Sequence, residues 1–128
     1  MKRLLLVLLP TMLLASVALI APSALARWSE TTHAFGRIPQ HKPVTARFAV
    51  TNEGAVPLLI NRAKGSCGCT GVTFTKTPIL PGQSGEVTAT FNAAAPGAFS
   101  KTVTVESNAA DGVQTLRFTG EVIPAPAR

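Results

Sequence analysis

Between residues 44 and 122 apolar and polar side chains alternate with a period of two, in short runs separated by Gly, Pro, Asn and Asp. Val44, Ala46, Phe48 and Val50 alternate with Thr45, Arg47, Ala49 and Thr51. Val87, Ala89 and Phe91 alternate with Glu86, Thr88 and Thr90, and Leu116, Phe118, Gly120 and Val122 with Thr115, Arg117, Thr119 and Glu121. A strand sends successive side chains to opposite faces, whereas a helix groups residues three and four apart, so this spacing predicts strands with one face in a core. No stretch of ten residues carries the helical spacing, which sets aside bundles and α/β folds.

Turn signals punctuate the runs about every ten residues. Asn52-Glu53-Gly54, a Gly-rich turn over 65–71, Pro81-Gly82 and Asp111-Gly112 each interrupt the alternation, and Asp-Gly is a hairpin signal. Further strands are expected at 29–34, at 58–60 after Pro57, at 72–75, and from Phe99 through Val105, the last entering the core only from Thr102 because Lys101 carries charge. About seven short strands with such turns predict an immunoglobulin-like antiparallel β-sandwich. Cys67 and Cys69 are two residues apart and cannot link its two sheets. The six Phe must fill most of its core, because Trp28 lies too close to the start of the domain.

The start of the chain reads differently. Of the first 26 residues 19 are apolar, so the 46% apolar content of the whole is front-loaded. Lys2 and Arg3 precede an apolar run over 4–20, broken by Pro10, Thr11 and Ser16, and Ala24-Leu25-Ala26 offers small residues where a signal peptidase reads. Residues 1–26 are therefore expected to be a signal peptide cut after Ala26, with an uncleaved membrane anchor as the alternative. Residues 27–123 then form the domain, 124–128 a disordered tail, and the location is periplasmic or secreted, without a membrane span after cleavage. Loss of the two leader cations lowers the net charge from +6 to about +4.

Several of these pieces together resemble a bacterial family of exported proteins, the domain of unknown function 1573 family. They are His33-Ala34-Phe35-Gly36-Arg37-Ile38, Phe48 to Asn52 with Gly54, Ser66-Cys67-Gly68-Cys69-Thr70, and Pro81-Gly82-Gln83-Ser84-Gly85 with the strand that follows. Phe99-Ser100-Lys101-Thr102-Val103 and Gly120-Glu121-Val122 extend the similarity to nearly all of residues 28–123. The cysteine motif is its most specific part. Ala34 departs from the family, which more often has an acidic residue after the histidine. The resemblance implies export and an immunoglobulin-like fold, with no activity attached.

Cys67 and Cys69 are the candidate site. Glycines at 65, 68 and 71 permit a sharp turn, and the nearby cations Arg62 and Lys64 favour thiolate. Three readings stand: a structural turn or disulfide, a redox pair, or a soft-metal site, since two thiolates hold Cu(I) and also suit zinc. For zinc the domain adds only His33 and His41 to the two cysteines. Nucleophile elbows, phosphate-cradling loops and HExxH pairs are absent from the sequence, and no acid–base pair stands out among its six carboxylates. The cations are dispersed without interleaved aromatic residues, against nucleic-acid binding and more compatible with weak attraction to anionic headgroups or surface polymers.

The expectation is a non-enzymatic module without a cofactor, binding a cell-envelope protein or surface polymer through a sheet edge or loop end. The alternative is a thiol redox or Cu(I)-binding protein acting through Cys67 and Cys69.

Overall fold

The computed structural model describes residues 5–7, 10, 12–16 and 21–126. Lys2 and Arg3 of the expected leader, much of its apolar run and the last two residues of the tail lie outside the described residues. The strands are β1 (Ala26–Trp28), β2 (Thr32–Pro39), β3 (Val44–Asn52), β4 (Ile60–Gly65), β5 (Thr70–Phe74), β6 (Ser84–Phe91), β7 (Gly97–Ser107) and β8 (Val113–Ile123). They form two four-stranded sheets, ordered β1-β3-β6-β5 and β2-β8-β7-β4. The expected immunoglobulin-like sandwich is therefore the fold. Among the described residues no helix is long and apolar enough to cross a membrane.

The alternation explains the core. Ala46, Phe48 and Val50 of β3, Val87, Ala89 and Phe91 of β6, Val103 and Val105 of β7, and Leu116, Phe118 and Val122 of β8 are buried together. Phe48 and Phe118 are fully enclosed, and burying each ring stabilises the fold by about 2–3 kcal/mol relative to exposure. Phe35, Phe91, Phe99 and Phe118 form one aromatic cluster, with centroid separations of 4.3–6.5 Å. Gly120 lets Phe99 lie across β8, because a Cβ at that position would meet Phe99 Cζ at 2.6 Å.

Four local features differ from the sequence expectations. The strand expected at 29–34 is displaced: residues 29–31 bend between β1, which pairs antiparallel with β3, and β2, which starts at Thr32, pairs with β8 and runs on to Pro39 in the other sheet. That change of sheet raises the count to eight and makes β2–β8 the one parallel strand pair among the described residues, beside the isolated parallel bridge of Ala24 with Ala109. The strand expected at 58–60 runs instead from Ile60 to Gly65, with Leu58 only bridging Ile79. A register shift between Ile60 and Arg62 reverses the parity there, so Ile60 is buried and Ala63, rather than Arg62, faces inward. The strand expected at 72–75 begins earlier, at Thr70, which shortens the Gly-rich turn to residues 66–69. Phe99 already packs on the core two positions before Lys101.

Ala24, Leu25 and Ala26 also belong to the fold. Ala24 is fully buried and bridges Ala109, and Ala26 pairs with Asn52. At the other terminus residues 124–126 are exposed, with the Ala125 amide donating to Gln40 Oε1 at 2.9 Å.

A candidate binding site at the Cys67–Cys69 end

Strand β4 is an edge of one sheet and β5 an edge of the other, so the turn between them closes one side of the sandwich. Its first residue extends the ladder: the Ser66 amide donates to the Thr102 carbonyl at 2.8 Å, and the Thr102 amide returns to Ser66 Oγ at 3.1 Å. The Thr70 amide reaches the Cys67 carbonyl at 3.3 Å, and the Asn92 amide reaches the Cys69 carbonyl at 3.2 Å. Held this way, Cys67 and Cys69 form a disulfide across a Cα–Cα distance of 5.3 Å, inside the range that a bridge spans. Both are half-buried, and Cys69 packs against the core.

A pocket of about 260 Å³ opens beside Cys69. Its apolar wall is Phe91 and Phe99, stacked at 4.3 Å, its far side is the 94–98 segment, and Lys101 stands at the rim. The facing loop is fixed from within. Ala93 is fully buried with φ 53°, and its carbonyl accepts from the His41 amide at 2.9 Å. Gln40 Nε2 donates to the Ala94 carbonyl at 2.9 Å, and the Ala94 amide to Asn92 Oδ1 at 3.2 Å. A non-glycine residue in the left-handed region costs about 1–2 kcal/mol, here opposed by full burial and these bonds. A wider polar cleft of about 400 Å³ lies on the outer face of β4 and β7, lined by Arg62, Lys64, Gly65, Ser66, Thr102, Thr104 and Glu106. Despite its size it meets the disulfide turn only through Gly65 and Ser66.

The other expected site residues do not converge here. His33 lies on β2, with Nδ1 2.8 Å from Glu30 Oε1 and its ring edge-on to Phe35 at 4.7 Å. Its carboxylate neighbour, missing at Ala34, is thus supplied from three residues earlier. His41 is exposed in the β2–β3 turn at φ 67°. Among the described residues no group of three or more His, Cys, Asp or Glu gathers where it could hold one metal ion. Arg62 and Lys64 point onto the polar cleft, while Arg27, Arg37 and Arg47 pair with Glu53, Glu121 and Glu86 at 3.0, 3.9 and 3.3 Å.

Phe91, Phe99 and the 94–98 segment were not legible as a site, since they are distant in sequence from the cysteines. The one local signal was the run of small residues with Pro96 and Gly97 between Phe91, which ends β6, and Phe99, near the start of β7.

The family model of the protein of unknown function DUF1573 matches residues 26–122. The chain belongs to the DUF1573 family. No curated protein matches the sequence. Among solved structures, this DUF1573 chain is similar to a protein of unknown function from Porphyromonas gingivalis W83, at TM-score 0.69 and 15% identity, covering 82% of this chain and 50% of that one. It is similar to an ASH/PapD-like domain of human CEP192, at TM-score 0.69 and 11% identity over 92% and 99% of the two chains. It is similar to the VesB protease of Vibrio cholerae, at TM-score 0.64 and 19% identity over 75% of this chain but 31% of the protease. At these identities the likeness is one of fold, and the chain spans half or less of the Porphyromonas and Vibrio proteins.

Proposed function

We propose that this DUF1573 protein is an exported, non-enzymatic immunoglobulin-like module that binds a component of the bacterial cell envelope at its Cys67–Cys69 end. The observation that carries this reading is the pocket between the disulfide turn and the internally bonded 92–97 loop. A preformed concave site on a rigid sandwich costs little ordering on binding. At about 260 Å³ it is smaller than the usual small-molecule site of about 300–1,000 Å³. It suits one or two side chains of an extended segment, with an apolar group on Phe91 and Phe99 and an acidic group near Lys101. The sheet edges beside it favour the loop end over strand addition, since β4 is bulged and carries Arg62 and Lys64, and β5 is five residues long. The apolar leader and a formed disulfide support export.

A second reading, thiol exchange or Cu(I) handling, is favoured by the half-buried disulfide sharing its pocket with Lys101. Cu(I) handling needs prior reduction, because bonded sulfurs are not thiolate ligands, whereas in exchange the intact bridge is attacked by a partner's thiolate, which bonds to one sulfur and releases the other as a thiolate.

One capture experiment separates the readings. The protein, recovered from envelope extract at physiological salt, is compared with Ala95→Trp, which fills the pocket from an exposed loop position. The module reading expects one envelope component with the wild type, lost at least tenfold with Ala95→Trp, and a fully formed disulfide free of metal in the same sample. Equal recovery by both proteins, or none by either, overturns it. A mixed thiol state or co-purifying copper instead selects the second reading.

A further inference from the structure

The three residues that look like a peptidase site are built into the sandwich. The carbonyls of Ser23, Ala24 and Leu25 accept from the amides of Ala55, Ala110 and Glu53 at 3.0, 3.0 and 2.9 Å, and the Leu25 amide lies 3.4 Å from Asn52 Oδ1. Ala24 is fully buried in the core cluster. Gly54 passes so close that a Cβ there would lie 2.3 Å from the Ser23 carbonyl oxygen, 2.5 Å from the Leu25 amide and 2.7 Å from the Ala24 Cα. A cut after Ala26 would remove the acceptors of three amides and take a buried side chain out of the core. The three donors sit on exposed residues open to water, so the larger cost is the emptied Ala24 site and the loss of the backbone packed on Gly54.

Packing therefore explains the small residue at Ala24 without a peptidase. The sequence supplies a second candidate cleavage triplet upstream, Ser16-Val17-Ala18, with small residues at the same spacing. A cut after Ala18 leaves an apolar core of 12 residues over 4–15, within the usual range of about 7–15. A cut after Ala26 needs the unusually long run that also resembles an anchor.

We propose that residues 23–26 are a structural strap of the mature domain, and that the leader is removed after Ala18 rather than Ala26. The position of the cut rests on the export reading above; the strap does not. It locks the end of the sandwich around Asn52, opposite the binding pocket, so the domain reaches its final packing only if these residues are retained.

The test uses the full-length chain produced in a Gram-negative host, with intact mass and thermal melts of the recovered protein and of Gly54→Ala. Gly54 is outside the left-handed region, so alanine there is harmful only if the strap is in place. The expected mass starts at Leu19, and Gly54→Ala lowers Tm by about 8–15 °C, as for displacement of packed backbone in a domain of this size. A mass starting at Arg27 overturns the proposal. So does a Gly54→Ala melt that coincides with wild type. A chain recovered whole overturns both the cut and the processing reading, while its Gly54→Ala melt still decides the strap: a lowered Tm supports it and an unchanged Tm removes it.

Discussion

The two ends of the sandwich treat their polar groups in opposite ways. At the end where β3 finishes, Asn52 is fully buried and completely engaged. Its Nδ2 donates to the carbonyls of Val56 and Ile79 at 2.7 and 2.9 Å, its Oδ1 accepts from the Gly54 amide at 2.9 Å, and its own amide and carbonyl bond to Gln83 and Gly82. One side chain thus ties together the β3–β4 loop, the residues before β6 and the strap. At the end where β3 starts, backbone bonds and the side chains of Gln40, Asn92 and Ser66 brace the loops, and Cys69, Phe99 and Lys101 face a pocket. Polar capacity consumed internally makes a lock, and side chains left facing a pocket on a braced frame are what the proposed binding at this end requires.

The contrast fails first, and by the largest amount, at Asn52. Asn52→Leu puts an apolar side chain of similar size in a buried corner, takes the Asn52 partner from the Val56 carbonyl and from the Gly54 and Leu25 amides, and leaves the Ile79 carbonyl only its bond from the Leu58 amide. We expect a loss of about 3–4 kcal/mol in denaturant unfolding, with binding by the remaining folded protein unchanged. A loss below about 1 kcal/mol would mean that water or a shifted loop replaces the side chain, and the end would not be a lock.

That corner also marks where sequence reading stops. The inward parity of β3, β6 and β8 was legible because one buried face imposes a local period of two, and Phe48, Val87, Leu116 and Phe118 obey it. The turn at 52–54 was legible too, yet the burial of Asn52 was not. Its short link to Gly54 is a local Asx turn, but its partners Val56 and Ile79 depend on how the loops stack. Non-local pairing likewise decides the parallel β2–β8 contact, the bulge in β4 and the meeting of Cys69 with Phe91 and Phe99. The small residue at 24 fits two physical demands, recognition by a peptidase and burial beside Gly54, and sequence alone names only the first.

At the open end the effects on stability should be smaller and those on binding larger. Phe99 is half-buried and stacked on Phe91, so Phe99→Ala should cost about 2 kcal/mol, less than the ~3–5 kcal/mol of a fully enclosed phenylalanine. It should also remove partner recovery in the envelope capture, because it deletes the pocket wall. A matching loss of stability with full recovery would put the ring in the core only and move the site elsewhere.

The smallest effect on stability belongs to the disulfide itself. Joining residues two apart closes a very short loop and restricts the unfolded chain little, and the turn keeps its bonds from Ser66 to Thr102, Thr70 to Cys67 and Asn92 to Cys69 when the sulfurs are replaced. Replacing both cysteines, Cys67→Ser with Cys69→Ser, should lower stability by about 1 kcal/mol in denaturant unfolding. Partner recovery should fall at least tenfold, because the bridge shapes the pocket edge beside Cys69. A loss of 3 kcal/mol or more would make the bridge the counterpart of Asn52, with two locked ends and no end left open for recognition. Unchanged recovery with the small stability loss would leave the pocket to Phe91, Phe99 and Lys101 alone, and the cysteines as a local brace of the turn.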